Sequence, residues 1–210
     1  MKYNFFDLDH TVTASRQKIS PEMKDKLSTF DNVIIVSGAS RLQMEYQLDG
    51  LKCEIMAQNG NDTSLWNRKL NKQQKNDILN HLSYFTEIGE DRLEDRGCQI
   101  SYSFVGHHAD PEIKKTFDPN GEKRRELLKK YPFKSRTVEI KIGGTTCLDY
   151  FPKGYNKGKN IEDYLKARRW KKKDCVYYGD ALFEGGNDES VLGIIKCIKV
   201  EDPEDLLKKL

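Results

Sequence analysis

Short apolar runs closed by polar turn residues set the pattern at the start of the chain. Tyr3-Asn4-Phe5-Phe6 ends at Asp7, and Val33-Ile34-Ile35-Val36 ends at Ser37-Gly38. Aromatic and β-branched runs of this length predict buried parallel strands. Between them, Ser20-Pro21-Glu22 has the form of a helix start, with a hydroxyl N-cap and proline in the first turn; Met23, Leu27 and Phe30 supply its apolar face. Ser40 caps a second helix through Leu48, and Glu54-Ile55-Met56-Ala57 makes a third strand. The order β-α-β-α-β predicts a parallel sheet with right-handed crossovers and a ligand site beyond the carboxyl ends of its strands.

The pattern then changes. A helix over residues 72–85, a strand over 99–105, a charged helix over 122–130 and two strands over 137–142 and 146–150 follow, the last two joined through Gly143-Gly144 as a hairpin. From Gly158 the alternation returns: a helix over 159–168, a strand over 175–178 ending at Gly179-Asp180, a helix after Asn187, a strand over 194–200 and a last helix from Pro203. The expected fold is α/β: a Rossmann-like parallel-sheet core from residues 1–71 and 151–210, with an inserted α+β domain at 72–150 that contains an antiparallel sheet.

A chain of 210 residues is long enough for such a core and a modest second lobe without disulfide support. Basic and acidic residues nearly balance, 36 against 33, so no polyanion-binding surface is implied. The one dense basic run, residues 166–173, reads as a solvated helix end, and no nucleic acid partner is expected. No leader-like stretch and no 18-residue apolar run is present, so the expectation is a soluble cytoplasmic chain with no membrane partner. Cys53, Cys98, Cys147, Cys175 and Cys197 are odd in number and lack C-x-x-C spacing, which favours free thiols over a disulfide framework or a zinc site. Nothing in the sequence sets an oligomeric state.

Chemistry concentrates at four places. Asp7 and Asp9 follow the first strand; beside a hard cation, one carboxylate can attack phosphorus while the other handles a proton. An aspartate at a strand end also simply starts a turn. Ser37-Gly38 after the second strand offers a hydroxyl, an approachable backbone N–H and a helix N-terminus to a phosphate, though Ser-Gly is also an ordinary turn. Lys157 stands where the chain re-enters the core and can neutralise a transferring phosphoryl group. Asp180, Asn187 and Asp188 bring oxygen ligands after the tip of the strand at 175–178, a set that favours magnesium over zinc or copper.

Taken together, D-L-D-x-T from Asp7, Ser37 after its strand, Lys157 before a helix and G-D-x(6)-N-D at 179–188 resemble the haloacid dehalogenase-like (HAD) phosphotransferases, in the branch with an α+β cap inserted between the second and third motifs. Similarity to the eukaryotic-type phosphomannomutases extends through Ser15–Met23, Ala57–Gly60, Asp149–Lys157 and Gly179–Asp188. The resemblance implies an enzyme with Asp7 as nucleophile and Asp9 as acid/base. It implies phosphate contacts at Ser37, Gly38 and Lys157. It implies Mg2+ held by Asp7, the backbone carbonyl of Asp9 and Asp180, with Asn187 and Asp188 completing or supporting the site. In the cap it implies contacts from Arg96 to a sugar phosphate and from Asp149 to sugar hydroxyls.

Three positions depart from that family. His10 stands where glycine is usual, so the backbone must avoid or tolerate positive φ. Cys147 replaces a phosphate-binding serine, and His107 a phosphate-binding arginine. A neutral imidazole cannot replace a bidentate guanidinium. With its neighbour, His107-His108 is either a new form of that phosphate site, part of a metal site or a polar strand end. The expected function is therefore a Mg-dependent phosphatase working through an aspartyl phosphate on a small phosphorylated metabolite, a sugar phosphate by resemblance. The alternative is phosphomannomutase, interconverting mannose 6-phosphate and mannose 1-phosphate; a non-catalytic binding module is remote from both.

Overall fold

Phe5 and Phe6 are neighbours and both are fully buried, so the strand that carries them, β1 (Tyr3–Phe6), must be covered on both faces. The computed structural model, which describes residues 2–85 and 91–210, supplies both covers. β1 is the middle strand of a five-stranded parallel sheet in the order β3 (Glu54–Met56), β2 (Val33–Val36), β1, β8 (Cys175–Gly179), β9 (Lys196–Lys199). On one face Phe6 and Ile35 pack with Met23 and Leu27 of α1 (Pro21–Ser28), Met44 and Leu48 of α2 (Arg41–Leu48) and Leu206 of α7 (Pro203–Lys209). On the other, Phe5, Ile34 and Tyr177 meet Ile161, Tyr164 and Leu165 of α6 (Lys157–Arg168). This is the expected three-layer α/β core, and it forms one compact unit, Met1–Asn67 with Tyr155–Leu210.

Arg68–Gly154 forms a second unit. Its sheet is antiparallel, in the order β4 (Leu93–Asp95), β5 (Ile100–Ser103), β7 (Cys147–Pro152), β6 (Val138–Gly143). Ile78 and Leu82 of α3 (Lys72–Leu82) pack on Ile100, Tyr102, Leu148 and Tyr150. By strand alternation Ser101, Ser103, Cys147 and Asp149 share the opposite face. α5 (Glu122–Lys130) lies where the charged helix is expected, and α4 (Pro111–Phe117) precedes it.

Some elements differ from expectation. α4 and β4 are additional: α4 buries no residue, and β4 is a three-residue edge strand, so neither leaves an apolar period to read. The helix expected after Asn187 is a single 3-10 turn, Glu189–Val191, cut short before Gly193 with φ 79°. α3 stops at Leu82, short of residue 85, and α6 begins at Lys157, two residues early, because the Asn156 side chain accepts the Lys159 N–H and caps it.

Two buried polar groups organise the second unit. His81 Nε2 lies 2.8 Å from the Tyr131 carbonyl and Nδ1 2.7 Å from the Tyr150 hydroxyl, so Nε2 carries the proton and Nδ1 accepts. Burial holds its pKa below 6.5, against a smaller upward pull from the Tyr131 carbonyl. Arg124 is 1% exposed and pairs with Asp118 Oδ2 at 2.8 Å. Its guanidinium also donates to the carbonyls of Gly143, Cys147, Gly144 and Asp118, closing the β6–β7 turn.

Both groups give measurable consequences. With the folded pKa of His81 depressed, the unfolded chain binds more protons below pH 6.5, so this contribution to stability is intact above that pH and is lost as pH falls through the folded pKa. The urea midpoint of the second unit is expected to fall on going from pH 7 to pH 5, and His81→Phe to flatten that dependence. Arg124→Met leaves Asp118 buried and unpaired, and chemical denaturation is expected to register a loss of about 3–5 kcal/mol.

Candidate active site

β1 and β8 are paired neighbours, Phe6 opposite Tyr178, so the residues that follow them leave from adjacent tips. Asp7 N–H donates to the Tyr178 carbonyl at 2.9 Å, and the Asp7 side chain is buried. Lys157, the first residue of α6 and 1% exposed, donates from Nζ to Asp7 Oδ1 at 2.6 Å, to Asp188 Oδ1 at 2.5 Å and to the Tyr177 hydroxyl at 3.2 Å. Tyr177 in turn donates to Asp188 Oδ1 at 2.7 Å. The next residue, Gly158, makes this approach possible: a Cβ there would lie 1.7 Å from the Ser190 carbonyl oxygen, so only glycine lets the turn after Asp188 close on α6.

Asp7, Asp180 and Asp188 each present a carboxylate oxygen within 4.8 Å of the others. Burial above all, then Asp188 and Asp180, push the Asp7 carboxyl well above its ordinary range, against the pull of Lys157. Burial and Asp188 raise Asp180, while His10 and Lys157 oppose them. Burial works to lower Lys157, but Asp188 and Asp7 together outweigh it and hold the ammonium charged. One cation against three carboxylates leaves the cluster short of positive charge. Among the described residues, Asp188 Oδ2 is also buried without a hydrogen-bond partner, against Gly179, where a Cβ would come within 2.2 Å of it. An all-oxygen donor set with excess negative charge and one unmet oxygen fits a hard divalent cation.

The remaining core positions lie around this cluster. His10 adopts φ 62°, tolerating the backbone that glycine would supply, with its N–H on the Thr13 carbonyl. Asp9 is half-buried and its carboxylate is not in the three-carboxylate group; Oδ1 accepts from the Arg16 N–H at 2.8 Å and from Gln47 Nε2 at 3.1 Å. Ser37 is buried, its Oγ accepting the Ala39 N–H, with half-buried Gly38 between them. Behind Ser37, Gln58 and Asn59 both take positive φ, and the Asn59 N–H donates to the Ser37 carbonyl. Buried Asn160 of α6 donates to the Asn59 carbonyl, tying this loop to the helix that carries Lys157. Asn187 is exposed, beside buried Asp188.

In the second unit, Arg96, His107 and Asp149 gather around Glu94 and Ser101. Glu94 Oε2 accepts from Arg96 Nε and Nη2 at 2.9 and 2.5 Å, and its Oε1 lies 3.6 Å from His107 Nδ1. His107 Nε2 is 3.3 Å from the Ser101 carbonyl, and Ser101 Oγ donates to Asp149 Oδ1 at 2.6 Å. Burial, then Asp149, raise the Cys147 thiol, which is held protonated. His108 instead pairs with Asp91 at 2.5 Å.

Sequence reading missed Gln47, Tyr177, Glu94 and Asn160. Tyr177 is hidden in an apolar strand, where its ring counts as core. A glutamine at a buried helix position, between Met44 and Leu48, was the one available signal for Gln47.

The parallel sheet with its inserted antiparallel unit matches solved haloacid dehalogenase-like proteins. A hydrolase of that kind from Bacillus subtilis superposes with a TM-score of 0.71 at 15% identity, covering 99% of this chain and 92% of that one. A phosphatase of the superfamily from Bacteroides thetaiotaomicron gives 0.65 at 14%, covering 93% and 81%. The fold is that of the HAD superfamily, and the chain's family match and relatives make it a HAD-superfamily phosphotransferase. The sequence profile of the eukaryotic phosphomannomutases matches residues 70–210, and the chain belongs to that family. Phosphomannomutases from Spinacia oleracea and Saccharomyces cerevisiae are 24% and 25% identical, covering 97% and 98% of this chain and 92% and 91% of theirs. That of Encephalitozoon cuniculi is 26% identical over 98% of this chain and 90% of its own. Among the described residues, no helix is long and apolar enough to cross a membrane.

A cation seated among Asp7, Asp180 and Asp188 would stabilise the folded core. At 100 times its dissociation constant, magnesium is expected to add about 2.7 kcal/mol, read as a rise in thermal midpoint. EDTA is expected to reverse the rise and Asp180→Asn to abolish most of it.

Proposed function

We propose that this enzyme transfers a phosphoryl group between hydroxyls of a phosphohexose, in the manner its family name describes, with Mg2+ as cofactor. The observation that carries the reading is the 2.6 Å contact between Lys157 Nζ and Asp7 Oδ1, which sets the Asp7 carboxyl beside a cation at a strand tip. Asp7 attacks phosphorus in line with the ester oxygen; the P–O(sugar) bond breaks as the Asp7–phosphoryl bond forms. Asp9 gives its proton to the departing sugar oxygen. Lys157, freed from part of its duty to Asp7 as that carboxylate esterifies, is positioned to neutralise the transferring oxygens, and Ser37 and Gly38 offer donors to them. Magnesium, when bound by Asp7, Asp180 and Asp188, would disperse phosphoryl charge. Asp9, now a base, takes the proton of the incoming hydroxyl and the phosphoryl group leaves Asp7.

The family match and its phosphomannomutase relatives favour a sugar hydroxyl as acceptor. Water, the acceptor in the phosphatase expected from the altered cap residues, stands second, and one observation favours it. Glu94 is paired to Arg96 and lies beside His107, so the side chains that would grip a second phosphate already face a carboxylate.

Mannose 1-phosphate with magnesium, with and without a hexose bisphosphate primer, separates the two. Isomerisation faster than phosphate release, and dependent on the primer, is the expected result. Phosphate release alone would reassign the enzyme as a hydrolase. Asp7→Asn is expected to lower either activity by at least about 10³-fold, and an unchanged rate would remove Asp7 as nucleophile.

A further inference from the structure

Gln47 occupies a position on α2 where helical spacing calls for an apolar residue, fully buried beside Met44 and Leu48. A buried amide is unfavourable unless its polar atoms are met. Nε2 donates to Asp9 Oδ1 at 3.1 Å and to Thr13 Oγ1 at 2.9 Å, while Oε1 accepts from Gln43 Nε2 at 3.2 Å. Asp9 Oδ1 takes a second hydrogen bond from the Arg16 N–H at 2.8 Å, and Arg16 holds φ 58°, a backbone conformation unfavourable for a residue with a side chain. The Ile19 N–H donates to the Gln47 carbonyl at 2.7 Å, fixing the far end of the same loop. Two donors from different elements thus aim one oxygen of Asp9, and the Gln47 donor is itself oriented by Gln43.

We propose that Gln47 is a positioning residue for Asp9, fixing the direction of its carboxylate and so the efficiency of proton transfer to the leaving oxygen. This rests on Asp9 as the acid/base of the proposed reaction. An amide suits the task because it donates without carrying a labile proton of its own. A stitch that only holds the loop together would affect every substrate alike. Positioning of an acid matters only where the leaving oxygen needs a proton.

The test compares the single-turnover rate of phosphoryl transfer to Asp7 from a hexose 1-phosphate, whose alkoxide leaves poorly, and from p-nitrophenyl phosphate, whose phenolate leaves unaided. Gln47→Met is expected to slow the hexose ester by about 10- to 100-fold with KM changed less than about 2-fold, and the aryl ester by less than about 2-fold. Gln47→Asn, one methylene too short to reach Asp9, is expected to do the same and decides the matter if Gln47→Met does not fold. Asp9→Asn should discriminate between the esters in the same sense. If Asp9→Asn slows both alike, the acid/base assignment fails and takes this proposal with it. If Asp9→Asn discriminates and the folded Gln47 variants do not, the positioning role alone is overturned.

Discussion

The ammonium of Lys157, shared between Asp7 and Asp188 with all three side chains buried, is the interaction on which the rest of the core depends. Burying such a cluster is costly, and short contacts offset the cost. The surroundings supply them, leaving one oxygen, Asp188 Oδ2, unmet among the described residues. Asn156 starts α6 at the right residue, Gly158 admits the turn carrying Asp188, and the Tyr177 hydroxyl accepts from Lys157 and donates to Asp188. Asn160 then fixes the same helix to the strained loop behind Ser37. A side chain at 158 or an unpaired Lys157 would disturb all four motif-bearing segments together.

That cluster also sets the polarity of the chemistry. It holds more carboxylates than ammonium groups, an arrangement that suits a cation and that, without one, would repel a phosphoryl dianion. The second unit is balanced differently. Arg96 is matched by Glu94, Arg124 is consumed by Asp118 and four carbonyls, and Cys147 is held as a thiol. Its polar face therefore offers directional hydrogen bonds to hydroxyl groups more readily than a concentrated positive field.

Most of the core was legible because its strands are buried on both faces and end in polar turns: β1, β2 and β8 stand where their apolar runs do. That Asp7, Lys157, Asp180 and Asp188 converge follows from reading strand tips at one edge of a parallel sheet. The direction of Asp9 did not follow, because it depends on the φ of Arg16 and on a glutamine 38 residues away. Tyr177 was invisible for a different reason: an apolar run reports the ring and hides the hydroxyl. In the second unit, α4 carries a start signal in Asp110-Pro111-Glu112, a cap followed by proline, yet buries nothing and so has no period. Glu94 sits on a three-residue edge strand too short to announce itself.

β1 precedes β2 and β8 in the chain and is the middle strand of its sheet, between them. β2 emerges from the ribosome soon afterwards, but Cys175–Gly179 follows only after the whole of Arg68–Gly154. While Arg68–Gly154 is made the nascent chain therefore carries a strand with three aromatic rings and one unsatisfied edge, the kind of edge that recruits foreign strands. The inserted unit can mature during that interval. The core sheet closes only afterwards, and any truncation before β8 leaves its central strand half paired.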